Sequence, residues 1–381
     1  MEDIMSLQVK KVEGKSDLNK FIKLPWKIYE DDEYWVPPLL IDEKERFNKD
    51  KYPFFEHSDA DFFLAVENGS VLGRIAAIKN NNHLKTYGDD LGFFGFFESV
   101  NDQKVANALF ERAEEWLDKR GLTQVRGPEN YNQNEEVGTL VEGFDSTPTI
   151  MMTYNPEYYI DLITNYGFTK EKDLLAYAIN NAERIPDRLE RKINIIEKRY
   201  DFNVRQFDSS NFEAEANKVV SVYNDAWSKN FGAIKLTDSE IEHLKDELKP
   251  ILVPEMVFIA EVDDKPVGVS LTIPDVNRVL HDLNGRLLPT GIFKLLWQKL
   301  TKWKDVHFAR VLILGVLEEY RHMGIDLAFY YYTFKNGIEL GFNSGEMSWI
   351  LEDNYPMRNA LERLYGCHPY KTYRLYQKDI K

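Results

Sequence analysis

Phe62–Ile78, FFLAVENGSVLGRIAAI, and Val257–Ile273, VFIAEVDDKPVGVSLTI, are the two stretches whose reading decides the fold. They have the same length and the same plan: an apolar run, a polar turn, a second apolar run. The turns are Glu67-Asn68-Gly69-Ser70 and Asp263-Asp264-Lys265-Pro266, and Ala65 with Ala260, and Gly73 with Gly268, fall at the same register. Each stretch reads as a β-hairpin, and the recurrence reads as an internal repeat.

The flanks repeat as well. Leu7–Val12, LQVKKV, alternates like a strand and precedes a helical stretch, Asp17–Tyr29; Phe202–Phe207, FNVRQF, does the same before Asn211–Ser228. After the first hairpin come a strand, Leu91–Glu98, and an amphipathic helix, Asp102–Arg120, with Val105, Leu109, Ala113, Trp116 and Leu117 on one face. After the second come an apolar strand, Arg310–Leu317, and a helix over Ile325–Leu340 that Gly341 stops. Each half closes on a helix ending in Tyr-Gly (Tyr166-Gly167, Tyr365-Gly366) and a last strand, Leu174–Ile179 or Tyr373–Lys378. The charged stretch Asp187–Arg199, led in by Pro186, reads as a connecting helix. The expected division is residues 1–182, a linker helix over 183–200, and residues 201–381.

Composition bounds the function. At 381 residues the chain is long enough for two domains. A net charge of −15 with no long basic run argues against a nucleic-acid partner. The one cysteine, Cys367, forms no intrachain disulfide, which fits a reducing compartment. No signal-peptide core and no apolar run long enough to span a bilayer is present, so the cytoplasm is the expected location. His57, His83, His243, His281, His307, His322 and His368 are scattered without metal-ligand spacing, and no metal is expected. Neither a Gly-x-Ser-x-Gly nor a Walker loop appears, which weakens hydrolase and NTPase readings.

The order in each half is strand, helix, hairpin, strand, helix, strand, helix, strand. In the second half it includes Leu312-Ile313-Leu314-Gly315-Val316-Leu317-Glu318-Glu319-Tyr320-Arg321-His322-Met323-Gly324-Ile325-Asp326. This resembles the GNAT acyltransferase signature, a strand followed by Arg/Gln-x-x-Gly-x-Gly/Ala and a helix, carried here by Arg321, Gly324 and, at the last position, Asp326. From LPWKIYEDDEYWVPPL through WILEDN to YRLYQK, the whole chain resembles the tandem-GNAT, YghO-like group. The resemblance implies an α/β (α+β) fold of two tandem GNAT-like domains, each a mixed, mostly antiparallel sheet flanked by helices. It also implies an N-acyltransferase using acyl-CoA, acetyl-CoA or longer-chain, as co-substrate.

A glycine in a strand-to-helix turn lets backbone N–H groups converge on an anion at the helix start. The resemblance makes that anion the CoA pyrophosphate, held by Arg321, His322, Met323, Gly324, Ile325 and Asp326. Val316 and Leu317 would line the pantetheine arm, with a backbone N–H polarising the thioester carbonyl. Asp326 departs from the pattern, since a carboxylate beside a pyrophosphate is electrostatically unfavourable; Asp also suits a helix N-cap. Asn354 matches an asparagine that contacts the cofactor in the family, and equally suits an N-cap before Pro356. The first half has Glu98-Ser99-Val100-Asn101-Asp102 where the loop would be, so it is expected to shape the acceptor pocket instead, a division of labour similar to that in N-myristoyltransferases.

Attack of a neutral amine on a thioester needs a base and a proton donor for the leaving thiolate. Glu319 and Glu352, at strand ends, are candidate bases, and Tyr365, next to the last turn, is the candidate donor. The long polar loop Gly127–Gly138, with Asn130, Tyr131, Asn132 and Glu135, is a candidate binding loop for the acceptor, or a surface loop. Residues 290–304, TGIFKLLWQKLTKWK, place Ile292, Phe293, Leu296, Trp297, Leu300 and Trp303 on one face, ringed by Lys294, Lys299, Lys302 and Lys304. Such a helix can lie on a membrane surface, cover an acyl channel or pack on its domain. The expected acceptor is a small-molecule or lipid amine. Besides acyl transfer, two readings remain: a GNAT-fold protein that binds acyl-CoA or lipid without turnover, and aminoacyl-tRNA-dependent transfer, against which the acidic charge counts.

Overall fold

The computed structural model describes residues 6–289, 291–301, 303 and 305–380. In chain order the first elements are β1 (Gln8–Lys11), α1 (Gly14–Ile28), α2 (Leu40–Arg46), β2 (Asp59–Glu67), β3 (Ser70–Lys79), α3 (Asn81–Tyr87), β4 (Leu91–Ser99), α4 (Gln103–Asp118), β5 (Gln124–Gly127), β6 (Thr139–Glu142), α5 (Tyr159–Asn165) and β7 (Thr169–Ile179). There follow α6 (Asp187–Arg199), β8 (Asn203–Gln206), α7 (Phe212–Ala226), α8 (Asp238–Leu248), β9 (Val257–Val262), β10 (Lys265–Pro274), α9 (Asn277–Leu280), α10 (Gly291–Leu300), β11 (Phe308–Val316), α11 (Ile325–Leu340), β12 (Ser344–Leu351), α12 (Tyr355–Tyr365) and β13 (Pro369–Asp379). Two compact units result: Met1–Leu174 with Leu280–Leu288 and Lys371–Lys381, and Leu175–Val279 with Pro289–Tyr370. The halves read from the sequence are contiguous, whereas these units are not. Lys371–Lys381 joins the first unit because β13 pairs antiparallel with β5, Tyr376 opposite Gly127. Nothing local in a strand names its partner.

In the first unit the sheet runs β1, β2, β3, β4, β5, β13, with β6 also on β13. The first four strands are antiparallel, and β4 and β5 are parallel. The hairpin turns at Asn68-Gly69, both at positive φ, which a tight primed turn demands. Alternation sends Phe63, Ala65, Ile75 and Ala77 to a core under α4 and α5, and Phe62, Leu64, Ala76 and Ile78 to a core under α1.

The second unit repeats this plan: β8, β9, β10 and β11 are antiparallel, β12 is parallel to β11, and the end of β7 lies beside β12. Its hairpin turns at Asp263-Asp264, again both at positive φ. Gly73 faces Ala65 and Gly268 faces Ala260, each beside an irregularity in the ladder. The repeated glycine has a packing cause. A Cβ on Gly73 would sit 2.7 Å from Leu109 of α4, and one on Gly268 3.1 Å from Phe329 of α11. The helix after the fourth strand crosses the hairpin there in both units.

The fourth strand of each unit is bulged. In β4 the register slips between the pairs Arg74–Glu98 and Ala76–Gly95, and Phe96 is at positive φ; in β11 it slips beside Leu312. A bulge bends its strand and raises its twist. The parallel pairing of β11 with β12 runs from Phe308–Ser344 to Val311–Met347, while β11 continues to Val316.

In the first unit the loop after β5 lies against that bulge. Glu129 N–H donates to Phe94 O (2.8 Å), and Phe96 N–H to Asn130 Oδ1 (2.8 Å). A Cβ on Gly95 would fall 2.2 Å from Glu129 O, a backbone atom that cannot swing away. Gly95→Ala is therefore expected to cost about 1–3 kcal/mol in urea unfolding. Gly88→Ala, where a Cβ meets nothing within 4 Å but φ is +68°, should cost about 1 kcal/mol. Equal costs would mean that the loop is not seated on β4.

Candidate functional site in the second unit

The signature residues form the turn between β11 and α11. Leu317 N–H donates to Val267 O (2.9 Å), so this candidate for polarising a carbonyl has a backbone partner. Glu318 to Met323 form a turn of 3₁₀ helix, and Gly324 (φ 75°) caps α11 in the left-handed region that glycine tolerates. Arg321 is exposed, yet its guanidinium holds backbone carbonyls: Nε donates to Val316 O (3.0 Å) and Nη2 to Ala226 O (3.1 Å), tying the turn to the end of α7. Met323 and Ile325 are buried in the core under α11, while His322 is exposed beside the Tyr200 ring.

Two features bear on an anion at this helix start. Asp326, second residue of α11 and not its N-cap, has its carboxyl pushed up by burial; the N–H groups of Leu327 and Asp326 and the charge of Lys192 offset this only in part. Ile196 of α6 covers Gly324, where a Cβ would fall 2.7 Å from its Cδ1. The glycine turn suits a pyrophosphate; Asp326 and Ile196 occupy the space around it. Seating one there needs Asp326 neutral or turned away, and α6 shifted.

The end of β11 is roofed by Trp227, the residue that caps α7. A Cβ on Gly315 would lie 2.0 Å from its ring, and Tyr223 stacks behind it at 4.9 Å. Sequence reading missed Trp227 and Ile196. For Trp227 the signal was an aromatic at or near the end of the first helical stretch of each half, Tyr29 and Trp227; no local signal marked Ile196.

The other candidates are spread over this unit. Glu319 is exposed, next to Glu318, which pairs with Lys229. Glu352 lies past β12, and its carbonyl accepts from Arg358. Asn354 caps α12, accepting from Met357 N–H (3.4 Å). Tyr365 stacks on Phe334 (5.1 Å, 12°) near Tyr330, and its buried hydroxyl has no hydrogen-bond partner among the described residues. Burial pushes that phenol well above its ordinary range, with Tyr330, Cys367 and Asp326 adding to it.

The first unit fills the corresponding place differently. Glu98 stands at the register of Gly315, and Tyr29 at that of Trp227. The Glu98 carboxylate accepts from Tyr29 (2.9 Å) and Tyr159 (2.7 Å), with Arg74 at 3.6 Å; burial raises its pKa. In the loop expected to bind the acceptor, Tyr131 is fully buried and donates to Arg46 O (2.9 Å). Asn130 donates to Glu136 (3.1 Å), Asn132 accepts from Asn134 N–H (2.7 Å), and Glu135 accepts from Tyr52 (3.0 Å). These polar groups bond within the unit, and Asn132 is only 4% exposed. Among the described residues no group of three or more His, Cys, Asp or Glu could hold a metal ion, and no helix is long and apolar enough to cross a membrane.

A duplicated sheet with a bulged fourth strand and a parallel fifth strand, with a glycine turn into a helix in the second unit, defines a tandem GNAT fold. Solved structures agree on the fold. A tandem GNAT protein from the clavulanic acid biosynthesis pathway superposes with a TM-score of 0.55 at 13% identity, covering 99% of both chains. A GCN5-related N-acetyltransferase from Sphaerobacter thermophilus gives 0.53 at 15% identity over 98% of this chain and 96% of the other. No protein-family model matches. The bacterial ceramide synthase of Caulobacter vibrioides is 36% identical over 385 residues, 98% of each chain, and protein YghO of Escherichia coli 35% over 379 residues, 96% of this chain and 94% of YghO. The chain belongs to the family of these two proteins.

Because the Tyr365 hydroxyl is buried without a partner among the described residues, Tyr365→Phe is expected to leave stability unchanged or raise it by about 1 kcal/mol in urea unfolding. A loss of more than about 1 kcal/mol would mean that the hydroxyl has a partner in solution.

Proposed function

We propose that the chain transfers an acyl group from acyl-CoA to the amine of a lipid, by direct attack of the neutral amine on the thioester. The observation that carries this is the 36% identity to a bacterial ceramide synthase along 98% of both chains. The donor thioester is assigned to the second unit, with its arm along Val316 and Leu317 and its pyrophosphate at Gly324. Glu319 or Glu352 takes the amine proton, and Tyr365 protonates the thiolate as the C–S bond breaks. Burial raises the phenol's pKa, which keeps it protonated but makes it a weaker acid toward the thiolate, so donation requires that shift to be relieved when substrate binds. The place of action is the cytoplasm, where a lone thiol such as Cys367 stays reduced.

A binding protein without turnover is the second reading, favoured by Asp326 and Ile196 around the glycine turn. One assay separates the two: the purified protein with palmitoyl-CoA or acetyl-CoA and a long-chain amino alcohol, following free CoA and the N-acyl product by mass spectrometry. Product with palmitoyl-CoA supports the proposal; binding without product supports the second reading. In the active case Tyr365→Phe should lower turnover by about a hundredfold, and Gly324→Trp should abolish CoA binding.

Asp326 gives a further test. Its carboxylate repels a pyrophosphate, and its raised pKa means that the proton is gained at higher pH than for an ordinary Asp. CoA affinity, by calorimetry, should therefore rise as pH falls towards that pKa. Asp326→Asn should bind roughly tenfold more tightly at neutral pH, about 1.4 kcal/mol, with this pH dependence flattened. Weaker binding by the variant would make Asp326 a ligand of the donor instead.

A further inference from the structure

On α10, Phe293, Leu296, Trp297 and Leu300 are 71%, 50%, 61% and 80% exposed. They stand at i, i+3, i+4 and i+7, a single stripe along the helix. The opposite side seats the helix on its unit: Gly291 and Gln298 are buried, Ile292 and Leu295 half-buried, and Gln298 donates to Asp305 (3.1 Å). Trp303, expected on the same face as the stripe, is only 2% exposed beyond the helix end. Thr290, Lys302 and Lys304 lie outside the described residues. An apolar stripe is ordinarily the side that a helix buries; here it is turned to solvent.

The charge around it is equally unusual for this chain. Residues 289–304 contain Lys294, Lys299, Lys302 and Lys304 and no Asp or Glu, in a protein of net charge −15. We propose that α10 docks the protein on an anionic lipid surface. The four exposed side chains enter the boundary between headgroups and acyl chains, and the exposed Lys299 meets the lipid phosphates. A short helix with a bare apolar stripe, a tryptophan within it and basic flanks is the chemistry of an interfacial helix. A second protein chain suits it less well. Ten residues of helix about 15 Å long and about 10 Å wide present a face of about 150 Å², far below the ~800 Å² per partner of a stable protein interface.

The docking stands apart from the transfer reaction, so its test reads binding alone. The full-length protein would be sedimented with vesicles of phosphatidylcholine, and with vesicles of equimolar phosphatidylcholine and phosphatidylglycerol. We expect binding to the anionic vesicles only, released by salt, with a blue shift of tryptophan emission that Trp297→Phe diminishes. Replacing Phe293, Leu296, Trp297 and Leu300 together by Ser should weaken binding by about tenfold or more. As these side chains are exposed, the variant keeps its fold, to be checked by circular dichroism. Lys299→Glu should also weaken it by about tenfold, through lost attraction to the anionic surface. Absence of vesicle binding, or binding that none of these changes affects, would overturn the proposal. So would dimerisation in sedimentation velocity that the serine variant breaks, which would assign the stripe to a second copy.

Discussion

In each unit a helix crosses a hairpin at a residue without a Cβ, and the rest of the unit is arranged around that crossing. Leu109 over Gly73 and Phe329 over Gly268 bring α4 and α11 closer to the sheet than any larger residue permits. The approach fixes where each helix begins, since it follows the fourth strand after a short turn. In the second unit it thereby sets the helix start, with Gly324, at the end of β11. A packing requirement and a candidate binding turn thus share one geometry.

The bulged fourth strand is the second shared device, and the units use it differently. In the first, the loop after β5 closes against the bulge through Glu129 and Asn130, and the strand end is occupied by the Tyr29–Glu98–Tyr159 group. In the second, β11 runs on past its pairing with β12, and an aromatic ring lies over a glycine instead of a hydroxyl over a carboxylate. The first arrangement buries polar groups that are hydrogen-bonded, which is the condition for burying them without loss. The second leaves the Tyr365 phenol buried with no partner among the described residues and a carboxylate in a poorly solvated place, local features that stability alone does not favour.

Local patterning made the elements legible. The alternation in Phe62–Ile78 and Val257–Ile273, the turn at Asn68-Gly69, and the helix over Ile325–Leu340 with its glycine stop all follow from residues within a few positions of one another, while the second turn, read over Asp263–Pro266, lies one residue earlier, at Asp263-Asp264. The register of Gly73 and Gly268 was visible too, although its cause was not, because the atoms that exclude a Cβ belong to helices further along the chain. The loop Gly127–Gly138 shows the opposite case. Its composition suits solvent, yet Tyr131 and Asn132 are buried, because side-chain amides and carboxylates that bond to one another and to distant backbone can be packed inside.

By itself, then, the sequence determined which segments are strands and helices, that they occur twice, and which glycine turn resembles an acyl-CoA site. Only the tertiary structure decided that Lys371–Lys381 completes the first unit, that Arg321 bonds to the carbonyls of Val316 and Ala226, that Ile196 covers Gly324, and that the stripe of α10 faces out. Periodicity reports which face of an element is apolar, because it reflects backbone geometry alone. What lies against that face depends on partners far away in the chain, and no local pattern encodes them.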